Sequence, residues 1–186
     1  MNRTQLTSAS PGTMGSILIR SVAAHDCAAI GSFVAGLSPE SRFYRFFTPA
    51  SPLSSAVLQG MCGAARTTDA LVATDGGMIV GHAMAADSVE PGGQQESDIG
   101  VVVTDLWQRR GIGSALLSCL TQRAAARGVS VLSMDVLPEN RVMLDLISRI
   151  WPGAAYAFHP DAVSVRASLP ATPTAGGFCG FAPQAA

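Results

Sequence analysis

One junction constrains this chain more than any other feature. A β-branched apolar run over residues 99–103 passes through Thr104-Asp105-Leu106-Trp107 into Gln108-Arg109-Arg110-Gly111-Ile112-Gly113-Ser114. Beyond it, Ile112, Ala115, Leu116, Cys119 and Leu120 recur at helical spacing. A strand feeding a helix through a glycine-containing turn points to an α/β architecture. It also makes a helix mouth, where amide hydrogens lack partners and the helix dipole is positive. Gly111 and Gly113 have no Cβ to keep an anion off the main chain, and Arg109 and Arg110 add charge beside them. A phosphate cradle accounts for these residues; a glycine turn between two solvated arginines accounts for them equally. Two other cradles are excluded. The third glycine and later acidic residue of a dinucleotide-binding unit are missing, and so is the lysine of a Walker loop. All twelve basic residues are arginine.

The surrounding pattern gives one mixed domain over residues 16–168. Residues 16–22 alternate as a strand, and 24–37 place Cys27, Ile30, Val34 and Leu37 on one helical face. Ser38 caps and Pro39 opens a second helix, in which Phe43, Phe46 and Phe47 are expected to share a face as an aromatic wedge against the core. Residues 52–65 form a further short helix. Residues 70–74 and 78–86, split by Asp75-Gly76-Gly77, form a hairpin, followed by a loop over 87–95. After the helix at 111–127, with Gly128 at its C-cap, a strand is expected at 129–136. A helix follows at 140–150, with Met143, Leu146, Ile147 and Ile150 on one face, and two closing strands at 154–158 and 162–167. Residues 1–15 are expected to be disordered and 169–186 to be a flexible tail.

Composition narrows the function classes. With 186 residues, 48% of them hydrophobic and 13% charged, the chain can bury one real core. A net charge of −1 and the lack of a clustered basic face argue against nucleic acid as a partner. Schiff-base lysine chemistry is excluded, because there is no lysine. Cys27, Cys62, Cys119 and Cys179 are scattered, as are His25, His82 and His159, so no metal site is expected. Free thiols in a reducing cytoplasm are the expectation. Cys119, on the apolar helical stripe, is expected in the core rather than as a nucleophile. Residues 4–10 are polar and no run of about 20 apolar residues exists, so neither a signal peptide nor a membrane span is expected.

Gln108-x-x-Gly111-x-Gly113, preceded by Val101-Val102-Val103-Thr104-Asp105-Leu106-Trp107 and followed by an Asn-led helix, resembles the signature of the GNAT superfamily of N-acetyltransferases. The resemblance covers residues 16–168. It implies a central, mixed but mostly antiparallel, twisted sheet of six to seven strands flanked by helices. It further implies that backbone amides across Gln108, Arg109, Arg110, Gly111, Ile112, Gly113 and Ser114 hold the CoA pyrophosphate of acetyl-CoA. The main chain of Val101, Val102 and Val103 would line the pantetheine arm, with Val101 and Val103 pairing to it where the fourth and fifth strands splay. An amide of that strand would polarise the thioester carbonyl. Asn140 would contact the cofactor arm, although a plain helix N-cap explains it as well. Leu37-Ser38-Pro39-Glu40-Ser41-Arg42 and the aromatic run after it resemble the bacterial branch related to protein-lysine acetyltransferases. In that branch an acidic residue ten positions before the Gln is the general base; here that residue is Asp98, with Glu96 as the substitute candidate. Two departures stand out. Ile147 occupies the place where many members carry a tyrosine that protonates the leaving thiolate, and Trp151-Pro152-Gly153 replaces a Gly-Phe opening to the sixth strand, which should alter that strand's start.

The resulting expectation is an acetyl-CoA-dependent N-acetyltransferase that joins both substrates in one ternary complex. The acceptor is a primary amine, on a protein lysine or a small molecule. A non-catalytic acyl-CoA-binding sensor is the alternative, and a phosphate-binding domain for another nucleotide a third reading. The acceptor's identity and the oligomeric state are not written in the sequence.

Overall fold

The computed structural model describes residues 17–48 and 53–170. The expectations for residues 1–15, and for the tail from 171 onward, lie outside the described residues. Along the chain run β1 (Leu18–Ser21), a 3-10 turn (Ala24–Asp26), α1 (Cys27–Ala35), α2 (Pro39–Phe46), α3 (Ser55–Met61), β2 (Thr68–Asp75), β3 (Met78–Val89) and β4 (Gln95–Val103). A second 3-10 turn (Asp105–Trp107) leads to α4 (Ile112–Ala126), β5 (Val131–Val136), α5 (Arg141–Ile150), β6 (Ala155–Phe158) and β7 (Val163–Ser168). The seven strands form one sheet in the order β1-β2-β3-β4-β5-β7-β6. Every pair is antiparallel except β4–β5, which is parallel. This is the mixed α/β, mostly antiparallel sheet flanked by helices that the sequence implies.

Two cores lie on the two faces of the sheet. Ile112, Leu116 and Leu120 of α4 and Ile147 of α5 pack with Ile99 and Val103 of β4 and with Leu132, Met134 and Val136 of β5. Ile30, Phe33 and Val34 of α1 and Met61 of α3 cover Val72, Ile79 and Val102 from the other side. Strand alternation therefore places Asp98, Gly100 and Val102 of β4 on the α1–α3 face, and Ile99, Val101 and Val103 on the α4 face. No helix of the described residues is long and apolar enough to cross a membrane.

Several expectations are corrected. The two ends of the 87–95 segment are strand, and the loop is confined to residues 90–94. Asp87, Ser88 and Val89 pair with Ser97, Glu96 and Gln95, leaving Pro91-Gly92-Gly93 as the turn. The polar side chains there are satisfied in place, since Asp87 accepts from the Arg127 guanidinium and from Ser97. The aromatic wedge reduces to Phe46, because Phe43 and Phe47 are 37% and 41% exposed. Phe47 turns off the helical path as a left-handed C-cap, φ 57°. Pro152 falls in a turn before β6, which begins only at Ala155. Cys27 and Cys62 are free thiols and Cys119 is buried, as expected, but Cys119 is disulfide-bonded. Scattered spacing carries no signal of pairing.

Candidate functional site

The mouth of α4 is open. Gly111 is its N-cap at φ 80°, a left-handed conformation that costs a residue with a Cβ about 1–2 kcal/mol. Arg109 is also left-handed, at φ 59°. Such a turn brings successive amide N–H groups round to one side, as in anion-binding nests. The first backbone bond back into the helix runs from Ala115 N–H to the Gly111 carbonyl. Among the described residues, the amides of Gly111, Ile112, Gly113 and Ser114 have no acceptor. Ile112 is buried in the core and fixes the turn, whereas Arg109, Arg110 and Gly111 are exposed. The Arg110 guanidinium stands 4.8 Å over the Trp107 ring.

Beside this mouth the sheet opens. β4 and β5 pair only through Glu96↔Val131, Ser97↔Leu132 and Asp98↔Ser133. From residue 99 onward β4 pairs with β3 alone. Thr104 N–H donates to the Val80 carbonyl at 2.9 Å, and an antiparallel ladder alternates, so Val101 and Val103 direct their main-chain groups away from β3 into the gap. Gln108 closes the far end of the gap. Its Nε2 donates to the Val103 carbonyl and to Ser41 Oγ, both at 3.0 Å. That side chain is a staple between loop, strand and helix, a role its motif position did not reveal. Asn140 Oδ1 accepts from Met143 N–H at 3.1 Å, so the helix-cap explanation of Asn140 is realised, with its carboxamide nitrogen left over for other work.

At the point where β4 and β5 part, on the α1–α3 face, a cleft of about 330 Å³ is lined by Asp98, Ser133, Asp135, Ser164 and Arg166. Desolvation raises the Asp98 carboxyl above the usual range; Asp135 and Glu96 add to the rise, and the charge of Arg45 opposes it. Glu96 shares this face but is 6% exposed and held by the Arg166 guanidinium at 2.9 and 2.5 Å. The Glu96 carboxylate is thus taken up by a two-pronged ion pair, which leaves Asp98 to face the cleft. Asp135 accepts from Ser164 Oγ at 2.7 Å.

Helix α2 roofs this region from a fixed anchor. Ser38 Oγ and Ser41 Oγ donate to Asp105 at 2.7 and 2.9 Å. Burial would push the Asp105 carboxyl up, yet these hydrogen bonds outweigh it and hold it below its usual value. At the other end of α2, the Arg45 guanidinium lies flat on β4 where Gly100 has no side chain. A Cβ there would sit 2.5 and 2.8 Å from the two terminal nitrogens. Arg45, Gly100, Asp135 and Arg166 carry no signal of this role in the sequence, because none of them belongs to a local motif.

The acetyltransferase (GNAT) family model matches residues 40–149, more than half of the chain. This chain belongs to the GNAT family. That makes it an acetyl-CoA-dependent N-acetyltransferase. Among solved structures it is similar to the GNAT domain of S. lividans PAT, at 27% identity and a TM-score of 0.72, over 81% of this chain and 89% of that one. The fold is also similar to that of a Salmonella typhimurium protein solved with its cofactor acetyl-CoA, at 19% identity and TM-score 0.65, covering 88% and 99%. Arabidopsis thaliana NAA60, solved with a bisubstrate analogue, matches at 14% identity and TM-score 0.61, covering 83% and 97%. A search of curated protein sequences returns no match. Within the GNAT fold, Ile147 is wholly buried between α5 and the sheet, so no hydroxyl stands at that position. Of the two tyrosines, Tyr44 is tied to Glu40 on α2, and Tyr156 on β6 has a buried hydroxyl without a partner.

Proposed function

We propose that this GNAT enzyme moves the acetyl group of acetyl-CoA directly to a primary amine while both are bound, with Asp98 as general base. The domain bounds of 16–168 go with that proposal. Acetyl-CoA supplies an activated acyl thioester. The open amides from Gly111 to Ser114, with those of Arg109 and Arg110 beside them, suit its pyrophosphate, whereas the Gln108 N–H already donates to the Asp105 carbonyl at 3.3 Å and is lost to that role. The strand-like groups of Val101 and Val103 suit its amide-bearing arm, and Val102 anchors the same strand from the other face. The observation that carries the reading is the one-sided pairing of β4 beyond Asp98, because it leads from the helix mouth to the carboxylate cleft. Asp98 takes the proton of an ammonium whose pKa is near 10. Its raised pKa makes it a stronger base than an ordinary Asp. Asp135 adds negative charge and attracts a cationic acceptor into the cleft. A lysine side chain or a small amine fits a cleft of this size; protein lysine is favoured by the resemblance of the 37–47 segment.

Asp98→Asn is the test. Acetyl-CoA-dependent thiol release with a panel of lysine peptides, N-terminal amines and small amines should fall by about 10²-fold or more, while CoA affinity by calorimetry stays within a few-fold. Ile147 in place of a hydroxyl favours a second reading, a sensor that binds acyl-CoA without turning it over. In that case the wild type would bind CoA and release no thiol with any amine.

A further inference from the structure

An aspartate that is desolvated and sits near two other carboxylates tends to hold its proton, and a protonated base is useless. Something must keep Asp98 charged. Two groups of positive charge lie near Asp98 on this face of the sheet. Arg166 on β7 is committed to Glu96 through both of its terminal nitrogens. Arg45 on α2 is the other. Its guanidinium lies across Gly100, two residues from Asp98 on the same face of β4, and is backed by the Phe46 ring at 5.1 Å. Any side chain at position 100 would displace it.

We propose that Arg45 is a positioning residue for the base: laid across Gly100, it keeps the Asp98 carboxylate ionised and turned to the cleft. The proposal rests on Asp98 being that base. The charged and titratable groups around Asp98 are Glu96 on its own strand, Arg45 from α2, Asp135 from β5 and Arg166 from β7. His82 on β3 also faces Arg45. It is buried, its Nε2–H is given to the Met61 carbonyl at 2.9 Å, and burial brings it down to about 4, so it is neutral and does not repel the guanidinium. The Arg45 Nε–H is buried without an acceptor, so the group is held by packing and by charge rather than by a hydrogen bond at that nitrogen. The anchor of α2 fits the same role. Ser38 and Ser41 on Asp105, with Gln108 on Ser41, set the depth of the helix against β4.

The experiment follows the Asp98 side-chain carboxyl by carbon NMR across pH in the full-length protein with CoA, assigning the signal by its absence in Asp98→Asn. In Arg45→Gln its midpoint should move up by about one pH unit or more. Gly100→Ala should move it in the same direction, since alanine suits that backbone and only the flexible end of Arg45 has to give way. That second variant carries the test if Arg45→Gln fails to fold. With acetyl-CoA and Nα-acetyl-lysine amide as substrates, the acid limb of kcat/KM should shift with the midpoint while the high-pH rate is kept within a few-fold. A midpoint unmoved in both variants overturns the proposal, as does a rate lowered equally at every pH. If Asp98→Asn leaves the acid limb in place, the base assignment fails, and the carboxyl titration still decides what Arg45 does.

Discussion

His82 shows how much of the site's behaviour is set by one side chain. It is 0% exposed, and burial, reinforced by the nearby Arg45 charge, holds it at about 4 despite its bond to Met61. An unfolded histidine takes up its proton below about pH 6.5. The folded one resists until about 4, so the unfolded state binds more protons between those values and stability falls as pH drops through that window. The loss approaches about 3 kcal/mol at the lower end. Urea melts at pH 7 and pH 4.5 should show it in the wild type, and His82→Gln should remove most of the difference. If Asp98 is the base proposed above, the pH dependence of activity has a separate origin, since its raised carboxyl would place the acid limb above the ordinary aspartate range. At this scale the sequence was legible only where chemistry is local. Asp98 was singled out only through the family resemblance, ten positions before Gln108, and the fold places it in the cleft. Arg166, 70 residues from its partner Glu96, and Arg45, beneath which Gly100 must be bare, become visible only when strands are paired.

Among the elements, α4 and its entry loop were the most legible, because a strand, a glycine turn and an apolar helical stripe are contiguous in the chain. Gly111 at φ 80° should be intolerant of a Cβ. Gly111→Ala is expected to lower stability by about 1 kcal/mol or more and to weaken CoA binding, measured by urea titration and calorimetry. Asn140→Ala should remove the cap of α5 and lower stability by about 1 kcal/mol. A loss of CoA affinity beyond that from the uncapped helix would show that the Asn140 carboxamide also meets the cofactor arm. Helix α2 was read less well. Its cap and Pro39 were evident, but the face pattern of three phenylalanines ignored where the helix stops. It ends at Phe46, and Phe47 leaves for solvent. The segment 87–95 was misjudged for a related reason: polar residues in a strand look like a loop until Arg127 and Ser97 are seen to satisfy Asp87.

For the whole molecule, the sheet is interrupted between β4 and β5, and that interruption makes a prediction about dynamics. Hydrogen exchange should separate alternate residues of one strand. The amides of Val101 and Val103, aimed into the gap, should exchange fast and slow down when CoA is added, whereas those of Gly100 and Val102, aimed at β3, should be protected throughout. Equal protection of all four without CoA would contradict the ladder described above. The sheet order itself was legible only as a resemblance, because pairings such as β5 with β7 follow from packing across the chain rather than from any local pattern. One property of the assembled fold concerns its chemical durability. Among the described residues, every ion pair but the imidazole contact of His25 with Asp26 uses guanidinium: Arg20–Asp26, Arg123–Asp69, Arg127–Asp69, Arg127–Asp87 and Arg166–Glu96. An ammonium side chain that loses a proton becomes a nucleophile toward thioesters and, once acylated, forfeits its charge; guanidinium stays protonated at neutral pH. A protein that spends its working life loaded with an acylating agent has thus built its electrostatic framework from the one cation its own cargo leaves unmodified.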